Sequence, residues 1–315
     1  MNFAGFRYSL SLLTLLASGI FSCAFAAMLR IQPSADTTLV ETVAENNVGG
    51  TPFVNAGTSG IGTKNRGLYQ FNLSSVPQGS KIKSALLLLE VTREPNGGVV
   101  SSTFSLHRLL KSWGEGNKDS RLEVTLGFGY LATTNEATWN SRFAFTTNSW
   151  TAPGAEGDYA TMASSSTIVY GLGHFPLFNS TTQMVADIQA WLDNPSENFG
   201  WLLKTEAEST DRTARSFGSR EFLVTEVGID TNSPPYIEIE FVPPPTISSA
   251  QITNGQFKFS FLAEPNQAYV VEFKNALSTN SWLTLTNISA STESTNALVS
   301  DVISTNARFY RVLAP

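Results

Sequence analysis

Tyr236-Ile237-Glu238-Ile239-Glu240-Phe241 sets apolar Ile237, Ile239 and Phe241 against Glu238 and Glu240 at period two. One residue later the chain meets Pro243-Pro244-Pro245. Strict alternation is the mark of a strand with one face in a core. Three consecutive prolines remove three backbone donors and favour an extended linker, so no sheet continues through them. The stretch therefore reads as the closing strand of a first domain, residues 28–243. A linker at 244–247 and a second domain at 248–315 follow.

Upstream, the same reading yields many short strands. Gly67 to Leu73 places Tyr69, Phe71 and Leu73 on one face. Ser84 to Val91 is nearly all aliphatic, as expected of a strand covered on both sides. Phe104, Leu106, Arg108 and Leu110 alternate with Ser105, His107 and Leu109. One segment differs. From Thr181 to Leu192, Met184, Ile188, Trp191 and Leu192 share a helical face, Ser180 and Gln183 have capping-box spacing, and Asn194-Pro195 ends the run. Strands with one packed helix imply an all-β fold: a large, jelly-roll-like β-sandwich with one short helix. Beyond the prolines, Phe257, Phe259 and Phe261, then Tyr269, Val271 and Phe273, repeat the alternation. With strands around Trp282 and from Arg308 to Leu313, they imply a small β-sandwich of fibronectin type III-like character.

The first residues read as a secretory signal over 1–26. Arg7 precedes an apolar run from Leu10 to Phe21, and Ala24-Phe25-Ala26 offers small residues for cleavage. A lipid anchor at Cys23 is the rival reading, because Ile20-Phe21-Ser22-Cys23 loosely resembles a bacterial lipobox. Either way the chain is expected to be secreted or held at the cell surface, with no membrane-spanning helix. Cys23 is the only cysteine, so a mature chain forms no internal disulfide. The 20 Lys and Arg face 26 Asp and Glu; without Arg7 they are 19, leaving a charge of −7. Such a surface disfavours nucleic acid and anionic lipid as non-specific partners. The charges balance after the prolines, so the acidic excess belongs to the first domain.

Catalytic motifs are sparse. His107 and His174 have no His or Cys at metal-ligand spacing, and there is no Gly-x-Ser-x-Gly elbow or phosphate loop. A polysaccharide hydrolase or lyase would need a carboxylate pair, for which Glu115, Glu136, Asp187 and Glu221 are the candidates. Sequence leaves their separation open. Each also has a structural reading, such as capping backbone amides or pairing with Arg220.

The order of motifs says more. Ala35-Asp36-Thr37 is followed by Arg66 to Pro77, Lys81 to Leu88, Ser112-Trp113-Gly114-Glu115 and Ala137-Thr138-Trp139-Asn140. Asp187 to Trp191, Asn198 to Leu203 and Phe217-Gly218-Ser219-Arg220-Glu221 complete it. This set resembles the DNRLRE domain, which overlaps carbohydrate-binding module family 96. The resemblance implies a β-sandwich on a secreted protein, with some relatives binding acidic polysaccharides such as alginate. Its motif residues fall here on Trp113, Glu115, Trp139, Asn140, Asp187, Trp191, Arg220 and Glu221, with Trp191 expected in the core.

A glycan site needs ring faces for sugars and planar cations for carboxylates. Trp113, Trp139 and Trp150 are the loop-borne aromatics, and Arg66, Arg142, Arg212, Arg215 and Arg220 the cations. Pairing with Asp211 or Glu206 is the alternative for Arg212 and Arg215. A structural calcium ion on Asp36, Asp119 and Asp187 is a further expectation. The leading functional reading is a non-catalytic glycan-binding or adhesive protein with a polysaccharide partner. A structural surface or matrix protein without a soluble ligand comes next, and a polysaccharide-degrading enzyme third.

Overall fold

The computed structural model describes residues 27–120, 127–221, 235–278, 281–302 and 307–314. Residues 1–26, with the expected signal segment and Cys23, lie outside them. The described chain is mostly β, with a single α-helix and several antiparallel sheets. The all-β reading holds.

Tyr236–Val242 lies inside a four-stranded sheet, between Ala27–Ile31 and Lys81–Leu88, with Leu177–Phe178 at the far edge. Ile237, Ile239 and Phe241 are buried and the intervening residues half-buried, as the alternation requires. A larger sheet runs Ser165–Val169, Ser102–Arg108, Trp201–Thr205, Lys64–Phe71, Phe53–Thr58, Arg215–Gly218 and Val91–Arg93. Pro33–Val40 also pairs with Lys64–Phe71. The aliphatic run from Ser84 to Val91 is thus two strands. Lys81–Leu88 sits in the smaller sheet, and Val91–Arg93 pairs with Arg215–Gly218 in the larger. The run is continuous because Leu87, Leu89 and Val91 reach one core from both sheets, not because one strand is covered twice.

The large sheet is buried on both faces. Tyr69, Phe71, Trp201 and Leu203 point into the core shared with the smaller sheet and the helix. Their neighbours Leu68 and Leu202 join Leu39 on the opposite face. That face is covered by Trp113, Trp139 and Trp150, together with Leu109, Ala137 and Ala155. Burial of one Leu or Phe side chain contributes roughly 1.5–3 kcal/mol, so both faces matter to stability.

The helix spans Thr182–Asp193 and buries Met184, Ile188, Trp191 and Leu192 as its period demands. Its cap is Thr181, whose Oγ1 accepts from the Met184 amide at 3.0 Å. The expected Ser180 cap is displaced by one residue. Ser180 Oγ accepts instead from the Ala85 amide, tying the helix entry to the smaller sheet. Gln183 turns forward to Asp187 at 2.9 Å and does not close a capping box.

After the prolines, Ser248–Thr253, Gln256–Ala263 and Thr295–Val302 form one three-stranded sheet. Leu283–Ile288, Tyr269–Lys274 and Phe309–Leu313 form another. Phe259, Phe261, Tyr269, Val271 and Val299 fill the core common to these two sheets.

Candidate functional site

The three loop-borne tryptophans do not present ring faces to solvent. Trp113, Trp139 and Trp150 are only 8, 6 and 5 % exposed. Trp113 Nε1 donates to the Phe199 carbonyl and Trp150 Nε1 to that of Thr138, each at 2.9 Å. Trp139 packs on Gly154, where φ is +76° and a Cβ would come within 2.6 Å of the ring, so only glycine fits. These segments look like loops in sequence because they lack periodicity. They are nevertheless a lid on Leu39, Leu68 and Leu202, and sugar-stacking by these rings is corrected accordingly.

Most of the arginines are also spent on their own chain. Arg66 is 3 % exposed. Its Nε and Nη2 donate to the two carboxylate oxygens of Glu208 at 2.8 Å, and Nη1 donates to the Gly154 carbonyl at 2.7 Å. Burial pulls the Arg66 pKa down, but the Glu208 hydrogen bonds and charge outweigh it and leave it raised. Arg215, 1 % exposed, donates to the carbonyls of Val99, Tyr170, Thr213 and Ala214. Arg142 reaches the Ser112 and Ser149 carbonyls, and Arg212 the Asn96 carbonyl. Backbone carbonyls, not Asp211 or Glu206, are thus the partners of Arg212 and Arg215. As readers of acidic sugars, Arg66 and Arg215 are overturned by burial.

Arg220 lies where charged motif residues distant in sequence converge. Its Nε and Nη2 grip Glu115 at 2.5 and 2.8 Å, and Nε lies 2.9 Å from Glu221. The Arg220 amide donates to Asp36 at 2.8 Å, and the Asp36 amide donates to Glu115 at 2.8 Å. Gly116 makes room beside Glu115, since a Cβ there would lie 2.2 Å from Asn47. Burial first, then the charges of Glu221 and Glu115, pushes the Asp36 pKa well above the usual carboxylate range, with the Arg220 amide opposing. Burial also raises Glu221.

Oxygens of Asp36, Glu115 and Glu221 lie within 4.8 Å of one another, close enough to hold a cation. The calcium set expected from sequence is not assembled. Asp187 sits on the helix, accepting from Ser164 Oγ at 2.5 Å and Gln183 at 2.9 Å, with Arg108 at 3.3 Å. Neither it nor Asp119 belongs to the acidic group.

The catalytic candidates are likewise engaged. Glu115 and Glu221 share the Arg220 guanidinium, while Glu136 accepts from the amides of Asn117 and Thr133 and pairs with Lys118. His107 bonds the Ala160 carbonyl, and His174 Nδ1 accepts from the Tyr170 amide.

An open site lies elsewhere. A cavity of about 520 Å³ is set between the end of strand Lys64–Phe71, the turn after it and the C-terminal end of the helix. Ser34, Gln70, Asn72, Ser74, Gln78 and Asn198 give it polar walls, and Phe71, Leu73, Val76, Pro77 and Trp191 apolar ones. Among the described residues no charged side chain lines it. Its size is that of small-ligand sites. Two of its residues carry buried polar atoms without a partner, Trp191 Nε1 and Asn198 Oδ1.

A smaller cavity of about 250 Å³ is lined by Arg93, Arg215, Asn55, Asn65 and Glu94. There Arg93 lies over the Phe53 ring at 4.3 Å, and its buried Nη1 has no hydrogen-bond partner. Sequence reasoning singled out neither Asn198 nor Arg93 as a site residue. The amides follow the strand in Asn72 to Gln78, and Arg93 precedes Pro95-Asn96-Gly97, so both look like ordinary turn chemistry.

No protein-family model matches the sequence, and no curated protein matches it. Among the described residues no helix is long and apolar enough to cross a membrane.

Proposed function

We propose that this chain is an exported, non-catalytic glycan-binding protein, with a DNRLRE-like sandwich over 28–243 and a small fibronectin-like module over 248–315. The observation that carries this reading is the open cavity beside the helix, with amides and hydroxyls set on an apolar floor. Sugars are recognised by that mixture, hydroxyls meeting fixed polar groups and C–H faces meeting apolar walls. The ordered motifs of the first domain and the signal-like segment support the same reading. The non-catalytic part rests on where the carboxylates are: Glu115, Glu136, Asp187 and Glu221 hold amides or cations, and none lines the cavity.

The test is a panel of soluble neutral and acidic glycans against the folded protein. Saturable binding without release of reducing or unsaturated ends is expected. Release of such ends would move the reading to an enzyme. A structural surface protein is the second reading, favoured by the internal use of Trp113, Trp139, Trp150, Arg66 and Arg215. Lack of binding across the whole panel would select it.

A further inference from the structure

Arg93 keeps its donors for something outside the chain. Every other described arginine gives its guanidinium a carbonyl or a carboxylate of the protein. Among the described residues, none takes a hydrogen bond or an ion pair from the half-buried Arg93. Its guanidinium lies over the Phe53 ring at 4.3 Å. Nη1 is sealed against the protein, but Nε and Nη2 keep contact with solvent. Those two nitrogens form the edge of the fork that matches two oxygens of an acid group.

Strand pairing aims the side chain. Val91–Arg93 is the edge strand of the large sheet, and its register against Arg215–Gly218 shifts between Ser216 and Phe217. That bulge sends Val91 into the core with Phe217 and sets Arg93 beside Ser216 on the outer face. Ser216 pairs with Asn55 on the next strand, so Arg93, Ser216 and Asn55 form one row. All three line the smaller cavity, as does Asn65. Ser216 Oγ donates to Asn55 Oδ1 at 2.6 Å, and among the described residues Asn55 Nδ2 has no acceptor. Glu94 and Arg215 neutralise each other elsewhere. The Glu94 carboxylate lies against Gly171 and acts on Arg215. Arg215 alternates with Ser216, faces the core side with Phe217, and spends its donors on carbonyls.

We propose that this cavity takes a singly charged acid group, a carboxylate or a sulfate ester, on a hydroxylated body. Arg93 Nε and Nη2 donate to two of its oxygens, while Asn55 Nδ2 and the Asn65 amide meet the hydroxyls. One unpaired cation balances one negative charge. A phosphate dianion would bring a second charge whose desolvation no free cation on the described wall offsets. A free hydroxy acid and an acidic unit of a glycan share this chemistry. The site is separate from the cavity beside the helix and stands whether or not that cavity binds glycan.

Calorimetric titration of the full chain tests this with glucuronate, glucose 6-sulfate, glucose and inorganic phosphate. A tetrauronate separates the two sources. Glucuronate and glucose 6-sulfate are expected to bind, and to bind more tightly than glucose or phosphate. Arg93→Gln keeps an apolar stem over Phe53 and is expected to weaken both acids roughly tenfold or more. Arg93→Lys keeps the charge but loses the fork, and is expected to weaken them by a smaller factor. Gln78→Ala, in the cavity beside the helix, is expected to change nothing. Tetrauronate that binds more tightly than glucuronate and is equally sensitive to Arg93→Gln places the acid in a glycan. Equal affinities place it in a free hydroxy acid. Acids that bind no better than glucose, or whose binding ignores Arg93→Gln, overturn the proposal. If Arg93→Gln does not fold, the Arg93 Nε–H resonance of the original protein decides. It should move with glucuronate and stay with glucose, and an unmoved resonance overturns the site.

Discussion

The strand Lys64–Phe71 has two ends that treat polar groups differently. Near its start, Arg66 is buried beside Trp139, and Glu208, Glu156 and the Gly154 carbonyl take its donors. At its finish, Gln70 and Phe71 border a cavity lined by neutral amides and hydroxyls and by no charged side chain among the described residues. A charge whose every donor is matched inside the chain holds the fold together and has little left for a ligand. Neutral amides and hydroxyls that line an open cavity keep bonding capacity for a ligand. The strongest charges are therefore the poorest guide to binding here.

The largest effect is expected at the charged end. Arg66→Ala leaves Glu208 without its bidentate partner in a mostly buried place and should destabilise the protein by about 3–5 kcal/mol. Urea unfolding reads this directly, and a loss near zero would mean that Arg66 is free to serve a ligand. Trp139→Ala should cost roughly 3 kcal/mol through the cavity left under Gly154, without altering glycan affinity in the folded fraction. A weakened affinity would return the loop tryptophans to the site.

The next effect separates the two kinds of buried acid by pH. Asp36 has a raised pKa, caused first by burial. The stability from its protonated form is full below about pH 4, its unfolded value, and is lost as pH rises through its folded value. Asp36→Asn mimics the neutral form, so it should gain on the original protein by up to about 1.4 kcal/mol per pH unit across that window. Parallel pH profiles would remove the claim. Glu208 behaves oppositely. Burial alone would raise it, but the Arg66 hydrogen bonds and charge leave it lowered. Its contribution is present above the unfolded value and lost as pH falls through the folded one, so the gap between the original protein and Arg66→Ala should narrow in acid. Smallest of all is the response to metal. Arg220 already supplies positive charge to Glu115 and Glu221. Chelation or excess calcium is expected to leave Tm unchanged, and a clear rise with calcium would make the acidic group an ion site.

Periodicity made much of the fold readable. The alternation at Tyr236–Phe241, the helical face of Met184, Ile188 and Trp191, and the phenylalanine ladder at Phe257, Phe259 and Phe261 all report which side is buried. Only the coordinates show that Trp113, Trp139 and Trp150 cover a second face of the large sheet, over Leu39, Leu68 and Leu202. The segments that carry them have no period, so these tryptophans resembled exposed ligand platforms. The gathering of Asp36, Glu115, Arg220 and Glu221 spans 184 residues between Asp36 and Arg220, and no local pattern encodes it. The cavity was hidden for a different reason. It depends on how the turn after Lys64–Phe71 meets the end of the helix, and residue type alone does not say so.

The most direct measurement is the set of indole N–H resonances from the six tryptophans, followed during titration with a neutral tetrasaccharide. Trp191 lines the cavity, so ligand there should shift its resonance the most, and the shift should saturate as the glycan is added. Trp113 and Trp150, already bonded on the opposite face of the sheet, should stay in place. Saturable glycan binding with an unmoved Trp191 resonance would contradict the assignment of this cavity as the binding site.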